Sequence, residues 1–231
     1  MWTEKYRPMK VSEMIGNEDS RRAFYEWLRG WRPGSTPVFL VGPPGIGKTT
    51  IVHAAANELG YFVMELNASD FRTKEKLERK LRGIGRITLT GEKTLLFLDE
   101  IDGLFSMEDR GGAEYLLNFI DKCEVPLVLA ANREDLDFVK KLEKKVKVLR
   151  FRRIPLREIE LYLRYILENE GLYASDDAIK SAVISSRGDV RAAINNLQSI
   201  ITTGVPMGLY RDADYILTDV IKNAPLIKIK S

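Results

Sequence analysis

The stretch Val38-Phe39-Leu40-Val41-Gly42-Pro43-Pro44-Gly45-Ile46-Gly47-Lys48-Thr49-Thr50 constrains the fold more than any other part of the chain. A short apolar run opens it and reads as a buried strand. A glycine-rich loop follows, and from Thr49 onward apolar and alanine residues recur at helical spacing. This is G-x-x-x-x-G-K-[ST] between a strand and a helix, the context that gives the pattern its meaning. Gly42, Gly45 and Gly47 let the backbone turn its N–H groups inward around phosphate oxygens, where side chains would block approach. The helix aims its positive end at the same anion. Lys48 is placed to reach the terminal phosphates, and the Thr49 hydroxyl to ligate Mg²⁺. The expectation is a nucleoside triphosphate site.

The rest of the chain alternates in the manner of an α/β protein. Ser20 to Leu28 reads as a helix, with Trp31 to Ser35 as its exit loop. Tyr61 to Leu66, Thr94 to Leu98, Pro126 to Ala131 and Val146 to Phe151 read as further strands. Asn67 to Asp70 breaks the second strand, and Thr73 to Leu81 is a basic helix. Gly111-Gly112 separates a loop from a helix over Ala113 to Asp121. Strands alternating with helices imply a parallel sheet flanked by helices. From Pro155 the pattern becomes all-helical: Leu156 to Glu168, Ser175 to Ser185 and Asp189 to Ile201, with Ser175 and Asp189 as N-caps. The expected organisation is a nucleotide-binding α/β domain over 1–153 and a small helical lid over 154–204. A tail follows over 205–231, in which Asp212 to Lys222 could form one more helix. Trp2 to Pro8 (WTEKYRP) is too short for a useful helix and must lie on another part of the molecule.

Chemistry-bearing residues cluster at strand ends. The third strand closes in Asp99-Glu100, two carboxylates at its C-terminal edge, where open parallel sheets bind ligands. Asp99 would hold Mg²⁺ through its water shell, and Glu100 would orient and deprotonate an attacking water. Asn132 follows the fourth strand, where a neutral amide bridges water and γ-phosphate without adding repulsion. Arg191, in the first turn of a lid helix, would bring a guanidinium to the γ-phosphate and couple nucleotide state to the lid angle.

Composition excludes several alternatives. Of 231 residues, 30% are charged and 45% hydrophobic, a soluble globular balance. No apolar run approaches the roughly eighteen residues needed to span a bilayer, and the N-terminus lacks the apolar segment of a signal peptide. The one cysteine, Cys123, forms no intrachain disulfide and reads as a helix-end residue. The expected location is the cytoplasm, with no membrane partner. A net charge of +3 requires that any affinity for nucleic acid come from a local patch.

The strand, GPPGIGKT, LLFLDE, AAN and a helical segment with GDVRAAINNL together resemble an AAA+ ATPase. Within that class WTEKYRP, ELNASD and EDRGG are similar to the clamp-loader ATPases of replication factor C, and favour the large subunit of archaeal type. The likeness runs from Trp2 to about Gln198. It implies ATP and Mg²⁺ as cofactors and an adenine pocket made by Tyr6, Arg7, Pro8, Ile15 and Gly16. Gly42, Pro43, Pro44, Gly45, Ile46, Gly47, Lys48, Thr49 and Thr50 would cradle the phosphates. It further implies that Asn67 restrains Glu100 until DNA arrives. The implied partners are replication factor C small subunits, a ring-shaped sliding clamp and primer–template DNA.

Two departures from the family stand out. Where small subunits carry Ser-Arg-Cys, whose arginine completes a neighbour's site, this chain has Glu143-Lys144-Lys145-Val146-Lys147, with Lys145 where the arginine would be expected. A lysine lacks the planar fork that grips phosphate bidentately, so the subunit is expected to receive an arginine finger and donate none. The family also continues into a helical collar, of which only Asp212 to Lys222 could be a beginning.

In the basic helix, Arg72, Lys76 and Arg79 fall at i, i+4 and i+7 on one stripe. Such a stripe is ordinarily a solvated face. The resemblance instead turns it, with Arg110, toward DNA phosphates in the loader's central chamber. A guess from family position puts the clamp contact near Ile84 to Gly91. Two readings stand: an ATPase whose hydrolysis times clamp loading, or a subunit in which ATP only holds an interface and hydrolysis is dispensable. Another AAA+ DNA-processing ATPase is disfavoured by WTEKYRP and ELNASD.

Overall fold

The computed structural model describes residues 1–68, 74–81, 93–104, 110–133, 140 and 142–203. Five parallel strands form one sheet: β1 (Val38–Val41), β2 (Tyr61–Asn67), β3 (Lys93–Asp99), β4 (Leu127–Ala131) and β5 (Lys147–Arg150), in the order β2-β3-β4-β1-β5. The four residues of β1 are all buried because the strand is central and covered on both faces. Period-two alternation divides them: Phe39 and Val41 face one layer, Val38 and Leu40 the other.

On the first face, Leu77 and Leu81 of α4 (Lys74–Leu81) and Leu116 and Ile120 of α5 (Arg110–Ile120) pack against Phe39, Leu96, Leu98 and Leu129. On the second, Phe24 and Leu28 of α2 (Glu18–Arg29) join Ile51, Val52 and Ala55 of α3 (Lys48–Leu59) over Val38, Leu40, Leu95 and Phe97. Because β1 lies between β4 and β5 while β2 sits at the far edge, the chain reverses direction across the sheet at β1. Such a switch point opens a crevice at the C-terminal strand ends.

Three helices follow: α6 (Leu156–Glu170), α7 (Asp176–Ser186) and α8 (Val190–Thr203). They enclose a separate core that includes Ile159, Leu163, Ile179, Val183, Ala193 and Leu197. Ser175 caps α7, its Oγ accepting the Ala178 N–H at 3.2 Å, and Asp189 Oδ1 accepts the Ala192 N–H at 2.8 Å at the start of α8. The N-terminal segment lies on this bundle. Trp2–Lys5 makes a single helical turn, α1, with the Trp2 side chain buried in the bundle's core.

Two sequence expectations are corrected. The Gly111-Gly112 pair does not precede a helix but lies inside α5, which begins at Arg110. Asn67 does not break β2 but is its last residue, opposite Asp99. The expected helix over Asp212 to Lys222, the segment Ile84 to Gly91, and Arg72 lie outside the described residues. Cys123 is half-buried just past α5, and burial raises its thiol pKa, so it stays protonated. Among the described residues no helix is long and apolar enough to cross a membrane.

Candidate functional site

The loop after β1 is shaped by what surrounds it. Gly42 has φ +148°, and a Cβ there would sit 2.1 Å from the Phe151 carbonyl oxygen. Gly45 has φ +71°, and its Cβ would lie 1.9 Å from Asp189 Oδ1. The second contact is a docking point: the Val190 N–H donates to Gly45 O at 3.0 Å, so the start of α8 rests directly on the loop.

Lys48 opens α3 and is buried. Its ammonium donates to Gly42 O at 2.7 Å, Pro43 O at 2.8 Å and Asn132 Oδ1 at 2.9 Å. Burial lowers its pKa to about 8, against the opposing pull of Asp99, Asp102, Asp189 and Glu100. Asn132 is fixed in turn, since its N–H donates to Asp102 Oδ2 at 3.3 Å.

Two carboxylates stand beside it. Thr49 Oγ1 donates to Asp99 Oδ2 at 2.8 Å, and the other oxygen of Asp99 accepts the Glu100 N–H at 2.8 Å. Glu100 has φ +54°, a left-handed conformation costly for a side-chain-bearing residue and frequent at functional sites. Its Oε2 accepts from Asn67 Nδ2 at 3.0 Å.

These groups line one cavity of about 410 Å³, within the size range of ligand sites. Its walls include Pro44, Gly45, Ile46, Gly47, Lys48, Thr49 and Thr50 from the loop, with Asp99, Glu100, Asn67 and Asn132 from the strand ends. Arg191 enters from α8, and Tyr6, Arg7, Pro8 and Ile15 are also part of the lining. Of the expected residues, Gly16, Gly42 and Pro43 stand outside this lining. Gly42 and Pro43 instead give their carbonyls to Lys48, and Gly16 packs against Ile154. Sequence reasoning missed Met14, Tyr162 and Ile194 in the wall. It read Asp189 only as a helix cap and passed over Asp102. An acid three residues after Asp99 on the same turn was the one available signal.

Thr49 and Asp99 offer a hydroxyl and a carboxylate side by side. Among the described residues no three acidic, His or Cys side chains cluster as a metal cage. That donor set fits Mg²⁺, which takes one or two protein oxygens and completes its shell with phosphate and water. A tight transition-metal site would need more protein ligands.

Away from the cavity, Lys76 and Arg79 are exposed on α4, while Leu77 and Leu81 anchor it. Arg110 opens α5, but its side chain is outside the described residues. Lys145 Nζ is bound to α5, donating to Leu117 O at 3.4 Å and pairing with Asp121.

The family profile described as "ATPase family associated with various cellular activities (AAA)" matches residues 38–156. The chain is 38% identical over 204 residues to the replication factor C large subunit of Thermofilum pendens, covering 86% of this chain and 49% of that protein. The corresponding subunit of Thermococcus kodakarensis is 36% identical over 222 residues, with 92% of this chain and 44% of that protein covered. The chain thus spans about half the length of the curated relatives it matches. Among solved structures, the Thermotoga maritima RuvB Holliday junction branch migration motor superposes with a TM-score of 0.66. The likeness covers 94% of this chain and 72% of that one at 22% identity, and so speaks to the fold alone.

Proposed function

Because the chain belongs to the AAA family of ATPases, we propose that it binds ATP with Mg²⁺ in this cavity and hydrolyses it. The proposed setting is the large subunit of a loader that places a ring-shaped sliding clamp on primer–template DNA. The observation that carries the reading is the convergence of Lys48, Thr49, Asp99, Glu100 and Asn132 in one cavity, in a chain similar to replication factor C large subunits.

The residues divide the work. Backbone N–H groups of the Gly45–Thr49 turn and the N-terminus of α3 bind phosphate oxygens. Lys48 exchanges its carbonyl partners for the terminal phosphates. The Thr49 hydroxyl and, through water, Asp99 would hold Mg²⁺, which when bound would supply charge neutralisation at those phosphates. Glu100 accepts the proton of the attacking water, and Asn132 orients that water against the γ-phosphate. Arg191 reaches the γ-phosphate from α8, linking nucleotide state to the position of the lid. In this reading residues 1–153 are the nucleotide-binding domain, 154–204 the lid and 205–231 a tail, in a cytoplasmic replication protein.

In the proposed assembly a guanidinium from a neighbouring subunit reaches the γ-phosphate. Lys145, paired with Asp121, stands where small subunits carry a finger, so this subunit receives one and donates none. The test is ATP turnover by the purified chain with and without a replication factor C small subunit bearing Ser-Arg-Cys. Turnover should be slow alone and rise on addition, since an arginine finger contributes on the order of 10³–10⁵ in rate in other triphosphatases. Fast hydrolysis by the chain alone, or no clamp loading by the assembled complex, would contradict the assignment.

A further inference from the structure

The N-terminal strap is tied to two elements that border the cavity, the lid and α3. On the lid side, Trp2 is buried in the helical bundle, and its N–H donates to Gln198 Oε1 at 3.1 Å. Lys5 Nζ donates to Glu170 Oε1 at 2.6 Å, and the Tyr6 hydroxyl donates to the same oxygen. Tyr162, about two turns before Glu170 on α6, donates its hydroxyl proton to the Tyr6 carbonyl at 2.7 Å. The Tyr6 ring stands edge-on to Tyr165, their centroids 6.4 Å apart.

On the other side the strap is stitched to α3, the helix that begins in the phosphate loop. Asn57 Nδ2 donates to Met9 O at 3.1 Å, and the Val11 N–H donates to Glu58 Oε1 at 2.7 Å. Glu13 Oε2 accepts the Met9 and Lys10 N–H groups at 2.8 and 3.2 Å. Only Arg7 and Pro8 separate the two sets of ties, and both line the cavity. The three steps from Tyr6 to Met9 reach roughly 10 Å at most, and Pro8 has its φ fixed by the ring. Where Arg7 and Pro8 stand is therefore limited from both α6 and α3.

That segment lines the same cavity as Lys48, together with Met14, Ile15 and Ile194. Met14, Ile15 and Ile194 with a proline and a tyrosine, in the cavity that also holds Lys48, suit the flat face of a purine base on a bound triphosphate. We propose that Glu170 and Tyr162 of the lid are positioning residues for base recognition. They hold Tyr6, and through it Arg7 and Pro8, against the base of the bound nucleotide, without touching the phosphates. The inference rests on the nucleotide reading above and goes beyond it: base affinity becomes a readout of lid position. A lid that swings carries the strap with it, and the base loses a wall while the phosphate loop keeps its own.

The experiment compares two ligands on the full chain, Mg²⁺–ATP and Mg²⁺–tripolyphosphate, by titration calorimetry. Glu170→Ala and Tyr162→Phe are measured separately, with thermal melts to verify folding. Unaltered chain that binds neither ligand would sink the nucleotide reading itself, and so is distinguishable. Given wild-type binding, each variant should weaken ATP about tenfold, the order expected for losing a hydrogen bond in a preorganised wall. Tripolyphosphate should change by less than about twofold, since Lys48 and the loop are untouched. Glu170→Gln, which keeps an acceptor for the Tyr6 hydroxyl but loses the charge toward Lys5, should recover part of the loss. Equal weakening of both ligands would mean the lid as a whole had loosened and Arg191 had moved, and would overturn the proposal. Unchanged ATP affinity in both variants would overturn it equally.

Discussion

Asn67 Nδ2 donates to Glu100 Oε2 across 3.0 Å, so the last residue of β2 holds the carboxylate that follows β3. The two strands are neighbours in register, Asn67 opposite Asp99. Glu100 accepts that bond from a left-handed backbone position, φ +54°. A carboxylate held by that amide must give up the bond before it can turn to an attacking water.

Asn67→Ala should therefore raise ATP turnover of the assembled complex in the absence of DNA. Losing one such bond, about 1 kcal/mol, corresponds to roughly fivefold. Steady-state rates with and without primer–template DNA check it. A variant whose DNA-free rate equals that of the unaltered complex would show that the bond does not restrain Glu100.

Lys48 makes binding pH-dependent. Burial lowers its pKa to about 8, and a bound triphosphate raises it, because nearby negative charge favours the ammonium. Binding above pH 8 thus takes up a proton. ATP affinity should be full below about pH 8 and fall as pH rises, by up to tenfold per unit. Calorimetry near pH 9, in buffers of different ionisation heat, should register up to about one proton taken up per ATP. No uptake would mean Lys48 is already charged there. Lys48→Ala should abolish binding at every pH.

Gly45→Ala should separate the lid from the loop. The added methyl would collide with Asp189, 1.9 Å away, as well as strain a φ of +71°. Gly60 has the same φ of +71° with nothing within 4 Å, so Gly60→Ala carries the backbone strain alone, about 1 kcal/mol. Melting temperatures and ATP affinities of the two variants should differ. Gly45→Ala should lose at least about tenfold in affinity, and Gly60→Ala should stay near wild type. Equal affinities would show that the lid can move off the loop without cost to binding.

On α4, replacing Lys76 and Arg79 by Ala in the assembled, ATP-bound loader should weaken DNA binding similarly across sequences. Each lost phosphate contact should reduce the salt slope by about one. Neither side chain contributes to the core that Leu77 and Leu81 fill, so stability should change by only a few tenths of a kcal/mol. An unchanged salt slope would make this helix an ordinary solvated face.

What was legible in the sequence is what depends on short spacing. The run from Val38 to Thr50 prescribes strand, loop and helix at once, and Asp99-Glu100 falls at a strand end by counting alone. Ser175 and Asp189 announce helix starts by their side-chain chemistry. Long-range docking left no such trace. That Asp189 also presses on Gly45, or that Trp2 sits in the core of helices over 150 residues away in sequence, follows from the tertiary fold and not from local pattern. The Gly111-Gly112 pair misled for an energetic reason. Each glycine costs a helix about 1 kcal/mol, yet α5 runs through both because it also buries Leu116 and Ile120.

The central claim is that ATP is hydrolysed at this site by Glu100, and the most direct test is single-turnover hydrolysis by the assembled complex. Glu100→Gln should keep ATP affinity, because the phosphate loop and Lys48 are intact. It should lose turnover at this one site by at least about a hundredfold, because an amide cannot accept the water's proton. Clamp loading should then stall with ATP bound. Normal hydrolysis at this site in the variant would contradict the role given to Glu100. Lost hydrolysis with undiminished clamp loading would show that ATP here only holds an interface.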